Sequence, residues 1–213
     1  MKKKAIIFDL DGTLWDSAQA VVDSWNEKIQ FFPDIDYYIT LEQMYGYMGK
    51  TMEEIGLAFF NTVSKERALE LLKICMDYEN LYIEEHGGVL FEGLEETLVA
   101  LKEEYFLAIV SNCQEGYIEA FLKHHKLEKY FDDTENYGRT KRCKGDNIKL
   151  LVERNNIDAV YVGDTMGDYD ATMQAGLPFI HAAYGFGTVP EGTAKVDDIR
   201  ELPKKVKEIL NAE

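Results

Sequence analysis

Four short apolar runs recur along the chain, AIIF at 5–8, LAIV at 107–110, AVYV at 159–162 and PFIHAA at 178–183, and each is followed by polar or glycine-rich residues and then a helical pattern. A strand that is apolar at nearly every position, rather than at every second one, is buried on both faces. Strands of that kind alternating with helices build a parallel sheet covered on both sides, so an α/β, Rossmann-like architecture is expected. The helical patterns fall at 93–105, 115–126, 145–156, 167–176 and 199–210. The sequence shows no self-similar period, which argues against a solenoid.

About 95 residues separate the first run from the second, where a minimal crossover needs only about a dozen. Helix starts recur inside this stretch: Thr40 with Gln43, Thr51 with Glu54, and Ser64 ahead of the long pattern ERALELLKICMDYENLYI. Strand-like alternation is scarce there. Residues 15–90 are therefore expected to form an inserted helical cap, on a core made of residues 1–14 and 91–213.

Charge and cysteine content narrow the partners. With 23 basic and 39 acidic residues the net charge is −16, so the surface repels phosphate polymers and anionic lipid, and neither nucleic acid nor membrane is an expected partner. No apolar run approaches the length of a membrane span. The start, MKKKAIIFDLDG, is too short in apolar residues for a secretory signal core, and a cytoplasmic location is expected. Cys75, Cys113 and Cys143 are odd in number and lack CxxC spacing, which suggests neither a disulfide framework nor a zinc site. The four histidines, His86, His124, His125 and His181, lack metal-ligand spacing.

The chemistry concentrates at strand ends. Asp9 and Asp11 close the first apolar run in IIFDLDGT, and in an open parallel sheet ligands bind beyond the carboxyl ends of the strands. Two carboxylates so placed repel each other unless a cation is present, and Mg²⁺ is the natural hard partner. Gly12 permits a sharp turn, and the Thr13 hydroxyl is expected to hold Asp11. A third carboxylate, Asp164, follows another strand in VYVGDTMGDYDA and completes a metal site. Asp168 lies four residues on, as a partner to that site or a favourable charge at a helix start, and Asp170 is expected on the solvated helix surface. Ser111 and Asn112 end the second run and can hold phosphate oxygens without adding charge. The segment RTKRCK sets Arg139, Lys141, Arg142 and Lys144 before a helix; Lys144 is the choice for a fixed cation facing a phosphate, with Lys141 as the fallback.

These motifs together resemble the haloacid dehalogenase-like superfamily of hydrolases, in the branch with a helical cap after the first strand. DLDGTL at 9–14 matches its first motif, SN at 111–112 the second, Lys144 the third and GDTMGD at 163–168 the fourth, over nearly the whole chain. The resemblance implies a phosphatase similar to phosphoglycolate phosphatases. In it Asp9 attacks phosphorus as the nucleophile, Asp11 is the general acid and base, and Ser111 and Lys144 bind the phosphoryl oxygens. It also implies Mg²⁺ held by Asp9, Asp164 and the backbone carbonyl of Asp11. The expected substrate is a small phosphorylated metabolite. A β-phosphoglucomutase-like phosphosugar mutase and a catalytically silent phosphate-binding protein are the alternatives; a true dehalogenase is disfavoured because it needs neither Asp11 nor a metal. Two departures stand out: KGDN follows where many relatives carry proline after the lysine, and LFEGLEE lacks the usual proline of the hinge. The cap loop YMGKTMEE offers Lys50 and Thr51 as substrate contacts, or simply a helix cap.

Overall fold

The computed structural model describes residues 2–210. Each of the four apolar runs is a strand of one sheet: β1 (Lys3–Phe8), β4 (Phe106–Ser111), β6 (Ile157–Gly163) and β7 (Phe179–Ala182). Two short strands extend it, β5 (Asp133–Asn136) and β8 (Lys195–Val196), giving the order β5-β4-β1-β6-β7-β8 with every pairing parallel. Period-two geometry sends neighbouring side chains to opposite faces. Ile6 and Phe8 accordingly join Leu107, Ile109, Val160 and Val162 in one core, while Ala5 and Ile7 join Ala108, Val110, Ala159 and Tyr161 in the other.

Helices cover both faces. On the first lie α5 (Leu94–Lys102), α6 (Tyr117–His125) and α10 (Leu202–Leu210), and on the second α8 (Lys144–Asn155) and α9 (Met166–Ala175), with the single turn α7 (Tyr137–Thr140) leading into α8. The strands β5 and β8 escape the sequence pattern because they are short and carry DTEN and KV rather than apolar runs. Glu135 on β5 is buried, and Arg154 meets it at 2.5 Å.

Between β1 and β4 the chain leaves the sheet. A two-residue ribbon, β2 (Trp15–Asp16) against β3 (Val89–Leu90), brackets four helices: α1 (Ala18–Ile29), α2 (Leu41–Tyr45), α3 (Met52–Phe59) and α4 (Lys65–His86). The sequence signals hold at their starts. Thr40 with Gln43 and Thr51 with Glu54 form reciprocal capping boxes, and the Ser64 hydroxyl accepts from Arg67 N–H. These helices bury a cluster of their own, including Val22, Trp25, Met44, Phe60, Leu71 and Cys75, apart from the two sheet cores. The long α4 also packs along α6 of the core. No helix among the described residues is long and apolar enough to cross a membrane.

Candidate active site

The connection leaving β1 runs to β4 on one side, while that leaving β6 runs to β7 on the other. Adjacent strands whose connections diverge open a crevice at their carboxyl ends. Asp9 follows β1 and Asp164 follows β6, so the crevice receives both. Asp168 joins them from the first turn of α9, and carboxylate oxygens of all three lie within 4.8 Å of one another, fully out of solvent. Lys144, the first residue of α8, reaches in from the second face: its ammonium lies 2.6 Å from Asp168 Oδ1 and 2.9 Å from Asp9 Oδ1. Of the four basic residues in RTKRCK, Lys144 is the buried one; Lys141 is exposed at the end of α7, and Arg139 pairs with Glu119.

Electrostatics separate the three acids. Burial, then the neighbouring charge of Asp168, pushes Asp9 well above the usual carboxylate range and Asp164 up to about 7. Burial works on Asp168 in the same sense, but the Lys144 ammonium and the Thr165 donors outweigh it and hold its carboxyl low. Burial alone would lower Lys144, yet Asp168 and Asp9 raise it, so it stays charged. Asp168 is saturated: Oδ1 takes Lys144, and Oδ2 takes the Thr165 N–H at 3.0 Å and its hydroxyl at 2.6 Å. Both expected roles of Asp168 therefore meet in one side chain, since it closes the α9 capping box with one oxygen and fixes Lys144 with the other.

Whether Mg²⁺ suits this site is decided by what Asp9 lacks and by its repulsion with Asp164. Asp9 Oδ1 is buried with no aligned hydrogen bond despite the nearby ammonium, and two repelling carboxylates face one another in low dielectric. An all-oxygen donor set of that kind fits a hard divalent cation. The turn behind it is tight: Gly12 has φ +79°, and a Cβ there would sit 2.2 Å from Asp164 Oδ2. The Asp164 carboxylate also accepts from the Phe186 N–H at 2.8 Å and from the Thr13 hydroxyl at 3.3 Å.

That last contact corrects the sequence expectation for Thr13. Its hydroxyl holds Asp164, not Asp11, because the turn at Gly12 carries the Asp11 side chain towards the ribbon. There Asp11 Oδ1 accepts three hydrogen bonds, from the Trp15 indole at 3.1 Å, the Ser17 hydroxyl at 2.5 Å and the Tyr117 hydroxyl at 3.0 Å. Burial raises the Asp11 carboxyl even against these donors. The Asp11 side chain is thus not in the carboxylate cluster, which leaves only its carbonyl for the expected contact with a metal.

A small cavity of about 40 Å³ opens from Asp9, Asp11, Ser111 and Lys144 towards the inserted helices. Ser111 accepts from Cys113 N–H through Oγ and lines this cavity. Asn112 lines the same cavity, and its Nδ2 donates to the Gly49 carbonyl at 3.0 Å, tying the strand end to the loop before α3. Thr51 is taken up by its capping box, while Lys50 lines the cavity from an exposed position. Asp170 is exposed, as expected. His181 is buried with Nε2 3.2 Å from the Asp164 carbonyl, and Cys113 is buried with its thiol pushed up by burial. Cys143 is exposed beside Lys144. Glu79 and Gln114, which also line the cavity, carry no signal in the sequence: one reads as a charge on a long helix, the other as loop.

The model of the haloacid dehalogenase-like hydrolase family matches residues 6–182, from β1 through β7, and so spans every element that supplies the crevice. The chain belongs to the haloacid dehalogenase-like hydrolase family. As such it is an enzyme of the phosphatase type, and its relatives carry matching names. A phosphoglycolate phosphatase from Nitrosospira multiformis is 30% identical, over 86% of this chain and 84% of its own length. A crystal structure described as a predicted phosphatase, from Clostridium acetobutylicum, is 27% identical and superposes with a TM-score of 0.79 over 98% of this chain and 99% of that one. The fold is shared further, at 19% identity and a TM-score of 0.78, with Rhodobacter sphaeroides CbbY crystallised with phosphate, over 95% of this hydrolase and 96% of that chain.

Proposed function

We propose that this hydrolase cleaves phosphomonoesters of small metabolites through a phospho-aspartate, with Mg²⁺ as its cofactor. The observation that carries the reading is the buried Lys144 bridging Asp9 and Asp168, with Asp164 alongside, at the mouth of a cavity that Ser111 and Asp11 also line. Asp9, Asp164 and the carbonyl of Asp11 would hold the ion, which when bound supplies positive charge against the phosphoryl oxygens and keeps Asp9 ionised.

The chain's own residues then account for the steps. An oxygen of Asp9 attacks phosphorus in line, the ester P–O bond breaks, and the leaving alkoxide takes a proton from Asp11. Asp11 suits a donor because burial raises its pKa while three donors gather on a single oxygen and leave the other for the proton. Ser111 and Lys144 hold the phosphoryl oxygens, and Asp168 keeps the Lys144 ammonium in place. In the second displacement Asp11 takes a proton from the incoming water, whose oxygen attacks phosphorus, and Asp9 is released as a carboxylate with inorganic phosphate. Residues 15–90 would serve as a cap over a core of 1–14 and 91–213. In support, the inserted helices have a separate apolar cluster, the β2–β3 ribbon joins them to the core, and the Asn112–Gly49 contact touches the crevice.

The test is phosphate release from a panel of phosphomonoesters with Mg²⁺, with EDTA, and with Asp9→Asn. Release that needs Mg²⁺ and falls on the order of 10³-fold or more in Asp9→Asn is expected. Undiminished release by that variant would exclude Asp9 as the nucleophile.

A further inference from the structure

Beyond the phosphoryl end, the cavity is walled by Val21, Trp25, Met44, Met48, Met52 and Ile55, and its remaining polar lining has an uneven character. Glu79, 2% exposed on α4, receives the Trp25 indole on Oε2 and Gln114 Nε2 on Oε1 at 3.2 Å, and forms no ion pair among the described residues. The same Gln114 nitrogen donates to Asn80 Oδ1 at 3.0 Å, and Asn80 spends its own amide on the Glu115 carbonyl at 2.9 Å. This chain of donors fixes which end of the Gln114 amide is oxygen. Gln114 Oε1 is left buried with no partner among the described residues, and so is Asn112 Oδ1. The Glu79 end of the cavity therefore presents a carboxylate and the orphan Gln114 acceptor, while Asn112 stands beside Ser111. An orphan of that kind costs about 1–3 kcal/mol until a donor arrives.

We propose that this end is the leaving-group subsite, and that Glu79 and Gln114 select an alcohol bearing a hydrogen-bond donor, hydroxyl or ammonium, and reject one bearing a second anion. The inference rests on the phosphomonoester reading for where the phosphoryl group sits. A donor group satisfies the open acceptors, whereas a carboxylate brings two more acceptors against Glu79. Lys50 lines the same cavity and would favour an anion, but it is exposed and screened by water, while Glu79 is buried and is not.

Three esters of matched length test this: 2-hydroxyethyl phosphate, 2-aminoethyl phosphate and 2-phosphoglycolate. They are compared by kcat/KM with Mg²⁺ at pH 8, above the value of about 7 to which burial pushes Glu79, and by calorimetric Kd on Asp9→Asn. At least one donor ester should exceed 2-phosphoglycolate by about tenfold or more in both measurements, and the better of the two identifies the group as hydroxyl or ammonium. Glu79→Gln, which keeps an acceptor for Trp25 and adds a donor, should narrow that ratio about fivefold or more. The ratio in the unmodified protein needs no variant to fold. Equal or better binding and turnover of 2-phosphoglycolate would overturn the inference. Should no ester turn over while the order of Kd values holds, the phosphatase reading fails and the subsite assignment stands.

Discussion

Glu79 shows how a single buried side chain can carry information that its neighbours in sequence do not. Burial moves its carboxyl from 4.5 up to about 7, even though the Trp25 and Gln114 donors favour the charged form. The folded protein thus binds this proton more tightly than the unfolded chain. Stability attributable to it is present below about pH 4.5 and is lost as pH rises through about 7. Glu79→Gln removes that dependence. Relative to the variant, the unmodified protein should lose on the order of 3 kcal/mol between pH 5 and pH 8, read from urea midpoints at the two pH values. Parallel pH profiles for the two proteins would mean that Glu79 is charged throughout.

At the scale of the element, α9 matters through its first turn more than through its length. Its reciprocal cap between Thr165 and Asp168 occupies one oxygen of the very carboxylate that positions Lys144. Helix capping and active-site geometry are therefore one structure. Thr165→Ala should cost about 1 kcal/mol of stability, an ordinary cap loss. It should also lower kcat about tenfold or more with little change in KM, because Asp168 keeps only the backbone N–H on that oxygen and holds the ammonium less firmly. Thermal melts and steady-state kinetics measure both. A loss of stability with kcat intact would make the cap purely structural.

Across the whole molecule, two separated stretches of chain, one ending in Asp9 and one carrying Asp164 and Asp168, meet to bury like charges, and a bound divalent cation that the unfolded chain does not hold would stabilise the assembly. At ten times its dissociation constant the gain is about 1.4 kcal/mol, or a Tm rise of about 3–6 °C for a chain of this size. Thermal unfolding in Mg²⁺ against EDTA reads it directly. Asp9→Asn should shrink the shift, and an unchanged Tm in the unmodified protein would count against a metal at this cluster.

Local patterns were enough to identify much of this protein. Continuous apolar runs marked the four central strands, because burial on both faces leaves no room for polar positions. Hydroxyl–carboxamide and hydroxyl–carboxylate pairs three residues apart marked the starts of α2 and α3, because capping boxes close within one turn. The spacing of DLDGTL, SN, Lys144 and GDTMGD carried the family, which the match over residues 6–182 bears out. Contacts between distant segments were another matter. Only the folded chain shows that Thr13 holds Asp164 rather than Asp11, that Trp15, Ser17 and Tyr117 converge on one oxygen of Asp11, and that Glu79 and Gln114 face the crevice. The Thr13 contact spans 151 positions and the Tyr117 contact 106. No local periodicity encodes them, since they exist only once the sheet order and the packing of α4 on α6 have brought those segments together.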